Sequence, residues 1–224
     1  MCGRYALTAE EEALAVAMGV ERIFTHHRPR YNVAPTQSVP VVRWDEEGPR
    51  LDPLRWGLVP FWASDPSVGN RMINARCESV AERPAFREAY RRRRCLVPAD
   101  GFYEWKPEGT GKQPHWLGRP GRAIFGMAGL WERWGGGDGG GGELLTFTIL
   151  TREATGVAVG IHPRMPLILP RESWPLWLGS GTSPGDRARL LESEPPIDLL
   201  AYPVSRVVNA PANDVPECVA PLAE

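Results

Sequence analysis

The stretch Leu144–Thr151 alternates Leu145, Phe147 and Ile149 with Thr146 and Thr148. A period of two sends successive side chains to opposite faces, which is the signature of a strand with one buried side. A second strand-like run, Ala123–Trp134, precedes it. The two are joined by Gly135–Gly142, interrupted only by Asp138. Strand pattern resumes directly after the glycines, so this stretch reads as a flexible hairpin tip and not as a linker between domains. A long strand pair must cover its apolar face, and the rest of the chain supplies mainly short strands to do so. Tyr5–Leu7 is one. Ser38–Trp44 and Leu51–Trp56 pair around a polar Asp45–Arg50 turn. Cys95–Pro98 and Phe102–Lys106 read as a hairpin around Ala99-Asp100-Gly101. Pro166–Leu169 and Tyr202–Val208 are further strands, and His26–Pro35 reads as a loop.

Helices are few and short. Thr8 and Glu11 have the spacing of a capping box ahead of a helix carrying Ala13, Leu14, Ala17 and Met18 on one face. Arg83–Arg94 is a second helix with Phe86, Ala89 and Tyr90 inward, and Ser173–Leu178 is a third. The expected fold is α+β: a single compact β-rich domain over residues 1–224, with antiparallel sheets and a few peripheral helices. No internal repeat or domain boundary is visible. A chain of 224 residues buries a core without disulfide support.

Composition narrows the function. The four cysteines, Cys2, Cys77, Cys95 and Cys218, have no C-x-x-C spacing and no histidine cluster nearby, so neither a zinc site nor a disulfide framework is expected. No metal or other cofactor is called for. There is no signal peptide and no apolar run long enough to cross a bilayer, which points to a soluble protein of a reducing, cytoplasmic compartment. The formal net charge of −1 does not announce a nucleic-acid partner. Only Lys106 and Lys112 are lysines, so the basic residues are almost all arginine, the better fork for phosphate. The Arg91–Arg94 run ends a helix, where cations complement the dipole, and reads as a solvated face.

Position 2 offers distinctive chemistry. The chain starts Met1-Cys2-Gly3-Arg4-Tyr5, and removal of Met1 would leave Cys2 with a free α-amine and a thiol on adjacent carbons. Such a 1,2-aminothiol condenses with an aldehyde through the amine and closes through the thiol to a thiazolidine. Both groups titrate near about 8, so small shifts make them nucleophilic at neutral pH. Other candidates sit in tight apolar frames. Glu104 lies between Tyr103 and Trp105, where desolvation would raise its pKa and suit it to acid–base work; an outward strand glutamate is the alternative. His162, between Gly160 and Pro163, is either a proton shuttle on a rigid turn or a satisfied loop histidine. Asn74, between Ile73 and Ala75, is an inward amide or a turn residue. Arg4, Arg76 and Arg164 each lie within two residues of one of these, fit for phosphates or for surface ion pairs. Trp56 and Trp62 flank Gly57–Phe61; Trp56 is expected in the core, and an exposed aromatic here could stack on a base of single-stranded nucleic acid.

Seven stretches in this order resemble the SOS response-associated peptidase (SRAP) family across nearly the whole chain. They are MCGRY at the start, RYNVAPTQ (Arg30–Gln37), RWGLVPFWA (Arg55–Ala63), INAR (Ile73–Arg76), RCLVPADGFYEWK (Arg94–Lys106), AGLWE (Ala128–Glu132) and IHPRMPLIL (Ile161–Leu169). The resemblance implies a barrel-like, SRAP-type arrangement of antiparallel sheets. It implies a sensor of abasic sites in single-stranded DNA that captures the ring-opened sugar as a thiazolidine and shields the lesion during the DNA damage response. In those terms Cys2 is the nucleophile. Glu104 is the general acid–base group for sugar ring opening and crosslink reversal, His162 assists proton transfer, and Asn74 orients Cys2 and the sugar. Arg4, Arg76 and Arg164 hold flanking phosphates, Trp62 stacks near the lesion, and Thr151 adds a polar contact. The protein is expected to be a bacterial monomer that joins the nucleoid when on DNA. Pro163 and Cys77 depart from the family pattern, the first stiffening the histidine turn and the second adding a thiol near the site. The glycine tip looks like a private insertion. Two other readings stay open: an N-terminal-nucleophile cysteine peptidase, autoproteolytic where a leader precedes Cys2, and a non-covalent reader of modified DNA that needs the arginines and Trp62 but not Glu104.

Overall fold

A computed structural model of the chain describes residues 2–135, 142–192 and 198–222. Its strands run in chain order as β1 (Tyr5–Leu7), β2 (Arg22–Ile23), β3 (Arg30–Val33), β4 (Ser38–Asp45), β5 (Gly48–Trp56), β6 (Asn74–Arg76) and β7 (Arg94–Ala99). They continue as β8 (Gly101–Glu108), β9 (Gly111–Gly118), β10 (Phe125–Gly135), β11 (Glu143–Glu153), β12 (Arg164–Pro166), β13 (Ile168–Leu169) and β14 (Leu200–Pro203). The α-helices are α1 (Glu11–Met18), α2 (Arg87–Arg92), α3 (Trp174–Leu178) and α4 (Pro184–Glu192).

The alternating run found in the sequence becomes β11, which pairs antiparallel with β10 from Gly129↔Ile149 to Gly135↔Glu143. From there the sheet closes on itself. β10 pairs β7, β7 meets β4 at Val42↔Leu96, β4 pairs β5, and β5 returns beside β11 in parallel at Thr146↔Arg55 and Phe147↔Trp56. Closure leaves no free edge in this ring of five strands. Trp56 and Phe147 stack in its core with ring centroids 6.1 Å apart, and Tyr5 packs 5.3 Å from Trp56. A second, five-stranded antiparallel sheet, in the order β14-β9-β8-β1-β3, lies beside it. That sheet has its own apolar cluster of Ala6, Tyr103, Trp116, Val204, Val208, Cys218 and Val219.

The β-rich α+β expectation holds, with local corrections. Cys95–Pro98 and Phe102–Lys106 do not form a hairpin. β7 belongs to the closed ring and β8 to the second sheet, where it pairs with β9 along its whole length. Asp100 is the crossing point, and it is tied down by the Thr8 N–H and by the Thr8 hydroxyl, which donates at 2.7 Å. Thr8 is therefore spent on Asp100 and caps no helix: α1 has Glu10 at its N-cap with no side-chain cap bond. Glu11 instead accepts from the His27 N–H at 2.6 Å. The buried face of α1 is Leu14, Ala15 and Met18, with Ala13 exposed. The stretch read as a loop at His26–Pro35 contains β3, and the last predicted strand ends at Pro203, with Val208 in a 3₁₀ turn. Arg94 is not on a solvated face. It opens β7 and is buried, donating to the carbonyls of Tyr90, Arg91, Trp177 and Gly179. The centre of the glycine tip, 136–141, lies outside the described residues.

Candidate active site

β1 leads the chain's start into the site. The Tyr103 N–H donates to the Arg4 carbonyl at 3.0 Å, extending the β1–β8 ladder so that Cys2 comes alongside Glu104. Cys2 is fully buried, with its Sγ 3.9 Å from the Arg4 carbonyl. Burial pushes its thiol pKa up, and the Glu104 carboxylate pushes the same way. Asn74 opens β6, which runs beside β11 at Ile149↔Asn74. The Ile73 carbonyl just before it accepts from Trp56 Nε1 at 2.9 Å and from the Ile149 N–H at 3.1 Å, so the core of the ring fixes the strand. Asn74 Nδ2 then donates to the Cys2 carbonyl at 2.8 Å. Its Oδ1 is buried with no hydrogen-bond partner among the described residues.

Glu104 sits on β8 opposite His115 and is buried. Desolvation raises its pKa to about 7. Its Oε2 is 3.7 Å from His162 Nδ1. His162 is half-buried on a turn whose N–H donates to the Ala158 carbonyl at 3.0 Å. Its Nδ1 is also 3.0 Å from both the Arg164 N–H and the Arg164 carbonyl. The neutral nitrogen accepts from the N–H, and the protonated one can donate to the carbonyl or toward Glu104, so this atom can pass a proton without moving far. Burial lowers the pKa of the imidazole. Cys2, Asn74, Glu104 and His162, distant in sequence, thus meet at one place.

The remaining candidates lie on several elements. β6, β11 and β12 lie side by side, with Thr151 opposite Arg76 on one flank and Pro166 on the other. Arg76 is exposed. Arg164 forms a bidentate pair with Glu78 at 2.6 and 3.0 Å and donates to the Thr151 carbonyl at 2.6 Å. Thr151 is buried, its hydroxyl 3.5 Å from the Ala75 carbonyl. Arg4 donates to Asn32 Oδ1 at 2.8 Å, to the Val208 carbonyl at 2.7 Å and to the Asn209 carbonyl at 3.2 Å. Trp62 is 56 % exposed beside an equally exposed Phe61, whereas Trp56 is in the core as expected.

Sequence reasoning assigned no role to Asn32 or Glu78. Asn32 is buried and its Nδ2 donates to the carbonyls of Val208, Ala210 and Asn213, pinning the C-terminal segment that holds Arg4. Its only signal was its place inside RYNVAPTQ. Glu78 had none beyond following INAR. Among the described residues no group of three or more His, Cys, Asp or Glu could hold a metal ion, and no helix is long and apolar enough to cross a membrane.

A closed β-ring with a second sheet, carrying a thiol beside a buried carboxylate and an imidazole, is a recognisable class of protein. The chain belongs to the SOS response-associated peptidase (SRAP) family, whose family model matches residues 1–211. It is 38 % identical over 223 residues to the abasic site processing protein YoqW of Bacillus subtilis, covering 98 % of this chain and 99 % of that one. It is 34 % identical to the abasic site processing protein YedK of Escherichia coli, covering 99 % and 100 %. The abasic site processing protein HMCES of Xenopus tropicalis is 31 % identical over 88 % of this chain and 67 % of its own length. A crystal structure of a protein from Bacteroides thetaiotaomicron superposes with a TM-score of 0.84 at 28 % identity, covering 99 % of this chain and all of that one.

Proposed function

We propose that this protein processes abasic sites in single-stranded DNA by capturing them covalently through Cys2, once Met1 has been removed. The abasic sugar is a cyclic hemiacetal in equilibrium with its open aldehyde. Glu104, with a pKa raised to about 7, exists in both protonation states near neutrality. As base it takes the proton of the anomeric hydroxyl, and as acid it protonates the departing ring oxygen, opening the sugar. The Cys2 amine adds to the aldehyde carbon and water leaves, giving an imine. The Cys2 sulfur then adds to the imine carbon, the imine nitrogen takes up the thiol proton, and the thiazolidine closes. The net change is the loss of one water. Closure removes the imine that would otherwise promote β-elimination and strand breakage, so the product shields the lesion instead of cutting it.

The observation that carries this reading is the convergence of Cys2, Glu104, Asn74 and His162 from four separate segments. Asn74 holds the Cys2 carbonyl, leaving its unpartnered Oδ1 as an acceptor for the freed amine or a sugar hydroxyl. His162 relays protons to Glu104. Arg4, Arg76 and Arg164 hold phosphates on either side, Thr151 supports Arg164 through its carbonyl, and the exposed Trp62 stacks on a neighbouring base. On this reading the protein works as a monomer on DNA in the bacterial cytoplasm.

The test is a denaturing intact mass of the untagged protein mixed with single-stranded DNA bearing one abasic site. The expected species is the protein lacking Met1, plus the DNA, minus one water. Cys2→Ala should lose that species and cleave the strand through an unclosed imine. Stable capture by Cys2→Ala, or separate protein and DNA when Met1 is demonstrably gone, would refute the reading. Cleavage of a peptide substrate by the same preparation would move the peptidase reading forward.

A further inference from the structure

Arg164 has a carboxylate in its fork where the proposed function puts a phosphate. We propose that Glu78 is a built-in competitor for that fork: it occupies Arg164 in the free protein and is displaced by a DNA phosphate. This rests on the DNA reading above.

The geometry of the pair is that of an anion site already filled. Glu78 Oε1 and Oε2 take Arg164 Nη1 and Nη2 at 2.6 and 3.0 Å. Phosphate presents paired oxygens to a guanidinium in the same way, so a fork that fits Glu78 fits a phosphate. The two partners differ in exposure. The Glu78 side chain is 54 % exposed and that of Arg164 only 18 %. The carboxylate is therefore on the solvent side of the fork, where an incoming strand meets it first. Arg164 has a second anchor on the inner side, since Nη2 also donates to the Thr151 carbonyl at 2.6 Å. The guanidinium thus keeps its position when Glu78 leaves. Glu78 sits on a short 3₁₀ turn, Cys77–Ser79, which is anchored by buried Cys77, so its side chain can swing out without unpacking a long element. Arg164 holds the Glu78 carboxyl below its ordinary range, so the competitor stays charged.

The location gives the competition a purpose. The Arg164 backbone holds His162 Nδ1, so whatever fills the fork lies two residues from the imidazole that faces Glu104. A competitor there weakens reversible binding of every strand equally. An intact strand dissociates, whereas an abasic strand is retained by its covalent ring. Glu78 therefore improves the ratio of damaged to intact DNA held by the protein.

The experiment measures dissociation constants of the Met1-processed full chain for a short undamaged single-stranded oligonucleotide at fixed ionic strength, by fluorescence anisotropy. Glu78→Gln should bind about two- to fivefold tighter than wild type, the range an exposed ion pair is worth. Glu153→Gln removes another exposed carboxylate, across the β11–β12 ladder from Arg164, and should change affinity less. In an Arg164→Ala background Glu78→Gln should have no effect. Three results overturn the proposal: equal effects of Glu78→Gln and Glu153→Gln, a Glu78→Gln effect that persists without Arg164, or weaker binding by Glu78→Gln. The last would make the pair a support for Arg164 and not a competitor. If wild type binds no single-stranded DNA the proposal falls, and the abasic-DNA mass assay then tells whether the DNA reading falls with it.

Discussion

Glu104 is where residue chemistry and stability pull in opposite directions. Its ordinary value of 4.5 is raised to about 7 because burial disfavours the charged form. A raised folded-state pKa means that the folded protein holds this proton more tightly than the unfolded chain. The stabilisation is fully present below about 4.5 and is lost as pH rises through about 7. Glu104→Gln removes the titration while keeping the shape. The variant should match wild type at pH 5 and exceed it at pH 8, by up to about 3 kcal/mol. The same variant should slow capture of abasic DNA by about a hundredfold or more. Thermal melts at the two pH values beside a capture time course check both, and parallel melting curves would sink the argument. The sequence singled out Cys2 by its place, and it left Glu104 among its aromatics and His162 on its turn with two readings each. Their partners were not legible there. That Asn74 Nδ2 meets the Cys2 carbonyl, and that His162 faces Glu104, depends on segments far apart in sequence.

At the scale of elements, the approach of the segment 66–71 to the end of β5 positions Asn74. Gly57 has φ +122°, and a Cβ there would lie 2.5 Å from the Gly69 carbonyl oxygen. The Gly57 N–H donates to the Phe147 carbonyl at 2.8 Å, and the Leu58 N–H to the Met72 carbonyl at 3.1 Å, just ahead of Ile73 and Asn74. Gly57→Ala should therefore destabilise the fold by roughly 3 kcal/mol through backbone strain and collision. It should also reduce capture per folded molecule by misplacing Asn74. Urea unfolding and the capture assay measure the two effects, and a near-neutral substitution would show that the contact is not needed. Long, alternating elements such as β11 could be read from sequence because their pattern repeats. β3 and β9 could not. Arg30–Val33 alternates over only four residues, too few to announce a strand, and Gly111–Gly118, with Lys112, Gln113 and Pro114, lacks the apolar alternation altogether. Both are strands because a neighbour supplies the ladder. Thr8 and Glu11 show the reverse case, in which a correct local capping pattern yields to stronger tertiary partners, Asp100 and the His27 N–H.

At the scale of the whole molecule, Arg94 joins the outer helices to the ring. Its guanidinium serves carbonyls at the ends of α2 and α3, and burial lowers its pKa to about 10, leaving it charged at neutral pH. Arg94→Met keeps the bulk and strands those carbonyls. It should cost on the order of 3 kcal/mol while leaving capture by the folded fraction intact. Chemical denaturation with a capture assay normalised to folded protein checks this, and a loss of capture without a loss of stability would contradict it. The sequence by itself determined the strand-rich class, the core role of Trp56, and which side chains were candidates for the chemistry, because hydrophobic periodicity and side-chain chemistry are local properties. Only the tertiary structure decided that β7 and β8 part company at Asp100, that β5 closes the ring against β11, and that Arg94 is buried. It alone also decided that Glu78 fills the Arg164 fork. Each of these depends on which distant segment offers the better hydrogen-bond or packing partner. That competition is settled by the folded chain as a whole, and no window of sequence contains both contestants.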